Sequence, residues 1–143
     1  MRIASVLHKL RIAKLVVFVA FLPGCGVRPV TEGTQGILRY GDKPLSDIRV
    51  TVNRVDKSSV QSIGFGITAT DGTFQLVTNG AHGALRLSPG EYRCTLKSVG
   101  AQVRIPNEYA QVNLTPLKVS WSVGDKSLDL EVRVTSTQSS TIK

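Results

Sequence analysis

Apolar and polar residues alternate through nearly every segment from residue 35 to residue 134, and this pattern restricts the possible folds more than any other feature. Successive side chains of a β-strand point to opposite faces, so a period of two predicts strands with one apolar face each. In one run Ile48, Val50 and Val52 alternate with polar neighbours. No segment after residue 25 combines a helical period with helix caps. The chain is therefore predicted to be all-β.

About seven short strands are expected, separated by turns rich in Gly, Pro and Asp. One-sided alternation favours antiparallel sheets packed face to face over a parallel sheet buried on both faces. Phe74 and Trp121 are predicted to anchor the core between the sheets, and Asp71-Gly72 to form a hairpin turn. The expected strands cover residues 35–40, 48–53, 63–70 (with Ile63, Phe65, Ile67 and Ala69 on the apolar side), 74–76, 92–96, 118–123 and 128–134.

The first 24 residues have the pattern of a secretory signal. Residues 1–14 carry four basic residues and no acidic one, and residues 15–22 are continuously apolar. That run is too short for a permanent membrane span, which needs about 20 apolar residues. Cleavage is expected, and an uncleaved N-terminal anchor remains the alternative.

A cysteine follows the apolar run, in the tetrapeptide Leu22-Pro23-Gly24-Cys25. This tetrapeptide resembles the lipobox of bacterial lipoproteins. The resemblance implies attachment of a diacylglycerol to Cys25, cleavage before it and a mature chain held at a membrane by its acyl chains. The alternative is a buried thiol beside an ordinary cleavage site. The predicted organisation is a signal peptide over 1–24, a lipidated tether over 25–33, a β-sandwich over 34–134 and a disordered tail over 135–143.

Charge and cysteine content narrow the possible partners. Removing residues 1–24 takes away four of the 18 basic residues and none of the 10 acidic ones, which lowers the net charge from +8 to +4. The remaining basic residues occupy single outward positions along strands, without the basic cluster interleaved with aromatics that indicates nucleic-acid binding.

Cys94 shares the apolar side of its strand with Tyr92 and Leu96, so it is expected to be a buried thiol.

Several motifs, taken in order, are similar to the small planctomycete lipoproteins that carry a carboxypeptidase regulatory-like domain. The matching segments are residues 36–45, 70–74 (Thr-Asp-Gly-Thr-Phe), 89–92 (Pro-Gly-Glu-Tyr), 105–109 and 115–117. The resemblance implies a transthyretin-like sandwich with a prealbumin- or Ig-like Greek key. That family shares no common activity, so the resemblance indicates fold and location and not chemistry.

No arrangement of residues predicts catalysis, a metal or a cofactor. His82 lies in a Gly-rich loop without a nominated nucleophile or orienting acid, and the set of residues used by transthyretin-like hydrolases cannot be placed. Asp42, Asp47, Asp56 and Asp71 stand where turns favour Asp, with no calcium-loop spacing. The chain is therefore expected not to be an enzyme.

The expected function is that of a lipid-anchored, non-catalytic sandwich of the cell envelope, with a structural or protein-interaction role. It would be exported and held at the cell or outer membrane through Cys25, with an envelope protein or glycan as partner. The alternative is a carbohydrate- or peptide-binding module that uses the longest irregular stretches, residues 78–88 and 102–114.

Overall fold

The computed structural model describes residues 32–101 and 103–133, and this part of the chain is a two-sheet β-sandwich. The predicted all-β fold is confirmed. Cys25, the predicted signal peptide, most of the predicted tether and the predicted C-terminal tail lie outside the described residues. The strands are β1 (Gln35–Tyr40), β2 (Lys43–Pro44), β3 (Ile48–Asp56), β4 (Ser59–Ile67), β5 (Thr73–Gln75), β6 (Val77–Thr78), β7 (Gly90–Ser98), β8 (Lys118–Trp121) and β9 (Ser127–Val132), with a 3-10 turn, η1, over Asn107–Ala110.

The two sheets have five and four strands. The five-stranded sheet has the order β6-β4-β3-β7-β8, and all its pairs are antiparallel. In the four-stranded sheet β1 is central, with β9 on one side and the short strands β2 and β5 on the other. Among the described residues, no helix has the length and hydropathy needed to cross a bilayer.

One strand pair departs from the antiparallel expectation. Strand β9 pairs with β1 in parallel along its whole length, from Gln35 opposite Ser127 to Tyr40 opposite Val132. The reason is the connection, because the chain crosses from β8 in one sheet to β9 in the other. Both β1 and β9 therefore start at the same end of the sandwich.

The core lies between the sheets and is formed by the alternating residues. Phe74 and Trp121 are both buried, as predicted, and so is the Cys94 side chain. Phe74 projects from β5 across the space between the sheets, and its ring lies against Gly36 of its own sheet and Gly66 of the other. The other buried apolar side chains include Leu38, Ile48, Val50, Val52, Leu76, Tyr92, Leu96, Tyr109, Leu128, Leu130 and Val132.

The predicted orientation of β4 is wrong for Phe65 and Ile67, whereas Ile63 packs against the core as predicted. Gly64 and Gly66 face the core, whereas Phe65 is half-buried and Ile67 is exposed. The cause is a register shift between Val52 and Asn53 of β3, where β4 carries one extra residue. A bulge of this kind moves the following side chains to the opposite face.

Two further predictions need correction. Asp71-Gly72 does form a turn, but the strands that it joins belong to different sheets, since β4 pairs with β3 and β5 pairs with β1. Strand β8 ends at Trp121, so Val123 lies in the following turn and is 91% exposed. That turn is closed by a hydrogen bond from the Ser122 amide to the Asp125 carboxylate.

The sandwich has two distinct ends. At one end, here called the tether end, Glu32 precedes β1, and the side chain of Arg86 binds both its carbonyl and its carboxylate. Strands β1, β7 and β9 all begin there, because Gly90 pairs with Trp121 and Gln35 with Ser127. The opposite, distal end carries the turns around residues 41–47 and 68–72.

Candidate functional site

The two cysteines have different positions in the molecule. Cys25, the predicted lipidation site, lies outside the described residues. The Cys94 side chain has no exposed surface, and burial raises the pKa of its thiol to about 12. Because the thiolate is the reactive form, Cys94 stays a protonated core residue at neutral pH.

Three of the four turn aspartates, Asp42, Asp47 and Asp71, lie in the distal turns, and Asp56 ends β3 at the tether end. Asp71 accepts hydrogen bonds from the hydroxyl and the amide of Thr73, at 2.6 and 3.0 Å. These bonds lower the pKa of the Asp71 carboxyl, the Thr73 hydroxyl contributing most. Within residues 32–101 and 103–133, no three His, Cys, Asp or Glu side chains converge as metal ligands would.

His82 lies in a tight turn at the tether end. The turn is closed by hydrogen bonds from the Thr78 amide to the Gly83 carbonyl and from the Ala81 amide to the Thr78 carbonyl. Gly80 and Ala81 both have positive φ angles there, and the imidazole lies against Gly80 and is exposed. The contacts at His82 are those of a turn residue.

A groove runs along the open side of the sandwich, where the edge strands β8 and β9 face each other. Its volume is about 740 Å³. Each of these strands pairs with a single neighbour, β8 with β7 and β9 with β1. Acidic and basic side chains share the walls, among them Arg39, Asp42, Glu108, Lys118, Asp129, Glu131 and Arg133.

The distal half of this groove is closed by Tyr109 of η1, whose ring is buried. Its hydroxyl accepts a hydrogen bond from the Arg133 amide at 2.8 Å and donates one to the Arg133 carbonyl at 3.1 Å. These two bonds tie the loop after β7 to the end of β9. The groove therefore has a fixed base formed by two distant segments of the chain.

The two loops proposed for ligand binding are not brought together. Residues 78–88 lead into the first residue of β7, whereas residues 102–114 follow its last residue and return beside the strand as far as Arg93, whose side chain donates to the Val112 carbonyl. Leu85 and Leu87 of the first loop pack on the core, and the Leu85 carbonyl accepts the Thr34 amide. Only the second loop contributes to the large groove, through Glu108 and Tyr109.

A basic surface on the five-stranded sheet is absent from the sequence-based expectations. Arg49 of β3 lies directly opposite Lys97 of β7, and Arg93 of β7 lies directly opposite Lys118 of β8. All four alternate with core residues of their strands, so they share the outer face. We call these four residues the basic face. In the sequence, each of the four residues can be recognised only as an outward-facing position of its strand. The strand order then shows that the four residues are neighbours.

Aromatic and apolar side chains adjoin the basic face. The Arg49 guanidinium lies over the Phe65 ring, 4.2 Å from its centroid, and Ile67 is 48% exposed opposite Arg49. Arg93 donates to the Val112 carbonyl at 3.3 Å. This surface combines positive charge with exposed apolar area, which suits an anionic partner with an apolar layer.

Comparisons with protein-family models, with curated proteins and with solved structures gave no match for this chain. The resemblance to carboxypeptidase regulatory-like lipoproteins stays a prediction from the motifs. The candidate sites are therefore two surfaces, the groove between β8 and β9 and the basic face.

Proposed function

We propose that this protein is a lipid-anchored, non-catalytic β-sandwich of the cell envelope, with a structural or protein-interaction role. The observation that supports it most is Cys25 directly after a short apolar run and a Pro-Gly pair. A thioether-linked diacylglycerol there supplies two acyl chains, and two chains anchor a protein stably where one does not.

The position of the tether end fits this proposal. Glu32 follows Cys25 by seven residues, and a fully extended chain of that length spans at most about 25 Å. The sandwich would therefore stay close to the bilayer. The Arg86 side chain holds Glu32 at one end of the domain, at 3.2 Å between Nη2 and Oε2.

The test is the intact mass of the membrane-extracted protein beside Cys25→Ser and Cys94→Ala variants. The wild type and Cys94→Ala should begin at Cys25 and carry the mass of the acyl chains, and Cys25→Ser should lack that increment and be released from membranes. Cys94→Ala is the matched control because it removes the other cysteine of the chain. A wild-type chain that begins at Met1 without acyl chains would refute the proposal.

The β8–β9 groove favours a second candidate function, the binding of an extended peptide or a glycan. Edge strands offer backbone amides and carbonyls to an added strand, and the groove walls offer charges of both signs. An array of peptides and glycans tests this with the wild type, with Lys118→Glu in the groove and with Lys126→Glu in the exposed turn before β9. Binding that Lys118→Glu weakens and Lys126→Glu preserves would support the groove, and a folded domain that binds nothing would remove it.

A further inference from the structure

We propose that the basic face of the five-stranded sheet lies against an anionic phospholipid surface, so that the sandwich rests on the bilayer with this sheet. The proposal rests on the lipid anchor of the proposed function for its location. The surface itself is defined by Arg49, Arg93, Lys97 and Lys118, which occupy three neighbouring strands.

The cross-strand pairing is the first argument. Arg49 and Lys97 are direct partners, and so are Arg93 and Lys118. Side chains opposite each other in antiparallel strands have Cβ atoms about 5 Å apart, and like charges at that distance destabilise a sheet. Two such pairs on one face oppose folding, and an anionic partner that neutralises them reverses the effect.

The second argument is that the domain itself leaves these charges without acidic partners. The ion pairs within the described residues use other cations, namely Arg39, Arg54, Arg86 and Arg133. The Arg49 Nε atom is buried without a hydrogen-bond partner among the described residues. One acidic residue, Glu91, shares the outer side of β7 and accepts a hydrogen bond from the Ser120 hydroxyl at 2.6 Å.

The shape of the surface favours a bilayer over a single anionic chain. The two like-charge pairs are four residues apart along β7, about 13 Å, and three neighbouring strands span about 10 Å. The charges therefore cover an area instead of following a line. Ile67 is exposed beside Arg49, and at a headgroup boundary such a side chain can enter the apolar layer while its basic neighbours stay with the phosphates.

The tether permits this orientation. Glu32 lies at the end of the sandwich where β7 begins, and Arg93 is three residues into that strand, about 10 Å from its start. A tether of at most about 25 Å allows the domain to lie on its side instead of standing on its tether end. An anionic surface within the Debye length, about 10 Å at 0.1 M salt, then attracts all four residues together.

The experiment measures lysine modification in the full mature chain reconstituted into vesicles. One set contains phosphatidylcholine alone and the other a mixture with phosphatidylglycerol. A water-soluble amine reagent is applied, and peptide mass spectrometry reports each lysine. Lys97 and Lys118 report on the basic face, while Lys43, which is exposed on strand β2 at the distal end of the other sheet, is the control.

We expect the modification rates of Lys97 and Lys118 to fall at least about fivefold in the anionic vesicles. The attraction of a single basic residue to an anionic surface already changes the binding constant by about fivefold. Lys43 should react equally in both sets. At about 1 M salt the Debye length falls to about 3 Å and the protection should disappear. Arg49→Gln with Arg93→Gln should reduce the protection, whereas Arg39→Gln with Arg133→Gln on the other sheet should preserve it.

Equal reactivity of Lys97 and Lys118 in both vesicle sets would overturn the proposal. So would protection by soluble polygalacturonate without protection by vesicles, or an equal loss of reactivity at Lys43. Failure of the lipid anchor can be distinguished from failure of this proposal. A chain that carries no acyl chains can be mixed with the same vesicles, and the modification of its lysines can be measured in the same way.

Discussion

Phe74 provides the sharpest test of how the two sheets pack. A Cβ atom added at Gly36 would lie 2.3 Å from the Phe74 Cζ atom, and one added at Gly66 would lie 2.8 Å from its Cδ2 atom. Both distances are far inside van der Waals contact. The ring therefore occupies space on both sheets that only glycine leaves free, and Gly36→Ala forces the ring or a strand to move.

The expected cost can be worked out from packing. An alanine in place of a strand glycine reduces the entropy of the unfolded chain and by itself stabilises by about 0.4–1 kcal/mol. Overpacking a closed core costs about 1–3 kcal/mol, and because this cost exceeds the entropic gain, the net effect is destabilising. We expect Gly36→Ala to lower the free energy of unfolding by about 2 kcal/mol, within the range for overpacking. A domain of this size would lose about 8–16 °C in Tm.

The assay is urea unfolding of the mature protein followed by circular dichroism, with Gly83→Ala as the control. Gly83 has no atom within 4 Å of the added Cβ, so that variant should keep the entropic gain of about 0.4–1 kcal/mol and be no less stable than the wild type. Phe74→Leu removes the far end of the ring. The double variant Gly36→Ala/Phe74→Leu should be at least about 1 kcal/mol more stable than additivity predicts. Additive effects, or a Gly36→Ala variant as stable as Gly83→Ala, would refute this account of the core.

Three further predictions concern single side chains. Tyr109→Phe removes both hydrogen bonds to the Arg133 backbone and should lower the free energy of unfolding by about 2 kcal/mol, measured in urea. Asp71 has a lowered pKa because Thr73 donates to it, so its stabilising effect is present above the ordinary carboxyl pKa of about 4 and is lost as the pH falls through the lowered folded value. The Tm difference between the wild type and Asp71→Ala should therefore shrink below pH about 4, and a constant difference would contradict this. Cys94 should resist a thiol-alkylating reagent at about pH 8 in the folded protein and react once urea unfolds it, as followed by mass spectrometry.

Local patterns of the sequence predict the fold class and several strands correctly. The alternation around Ile48 and around Leu128 is sufficient because β3 keeps its register along β7 and β9 keeps its register along β1. Tyr92 and Cys94 are buried, as their positions on the apolar side of the strand predict. Each of these features is determined within a single strand. They can be predicted because the two-residue period is also a property of a single strand.

Features that depend on two strands cannot be predicted in the same way. The extra residue of β4 opposite Val52 and Asn53 has no mark in the sequence, so the alternation places Phe65 and Ile67 on the wrong side. The inward positions of β4 are glycines, which have no side chain to contribute to an apolar pattern. The groove depends on β8 and β9 being edges of different sheets, which requires the full strand order.

The bulge and the strand order together account for the basic face. Without the extra residue Phe65 would enter the core, and Arg49 would have no aromatic ring beneath its guanidinium. Without β7 between β3 and β8, Lys97 and Arg93 would not stand beside Arg49 and Lys118. Residues that occupy isolated outward positions along the chain thus form one surface through pairing alone. A chain can therefore carry a charged surface without a run of charges in its sequence. The relevant pattern is which face of each strand the basic residues occupy, compared across strands that pair.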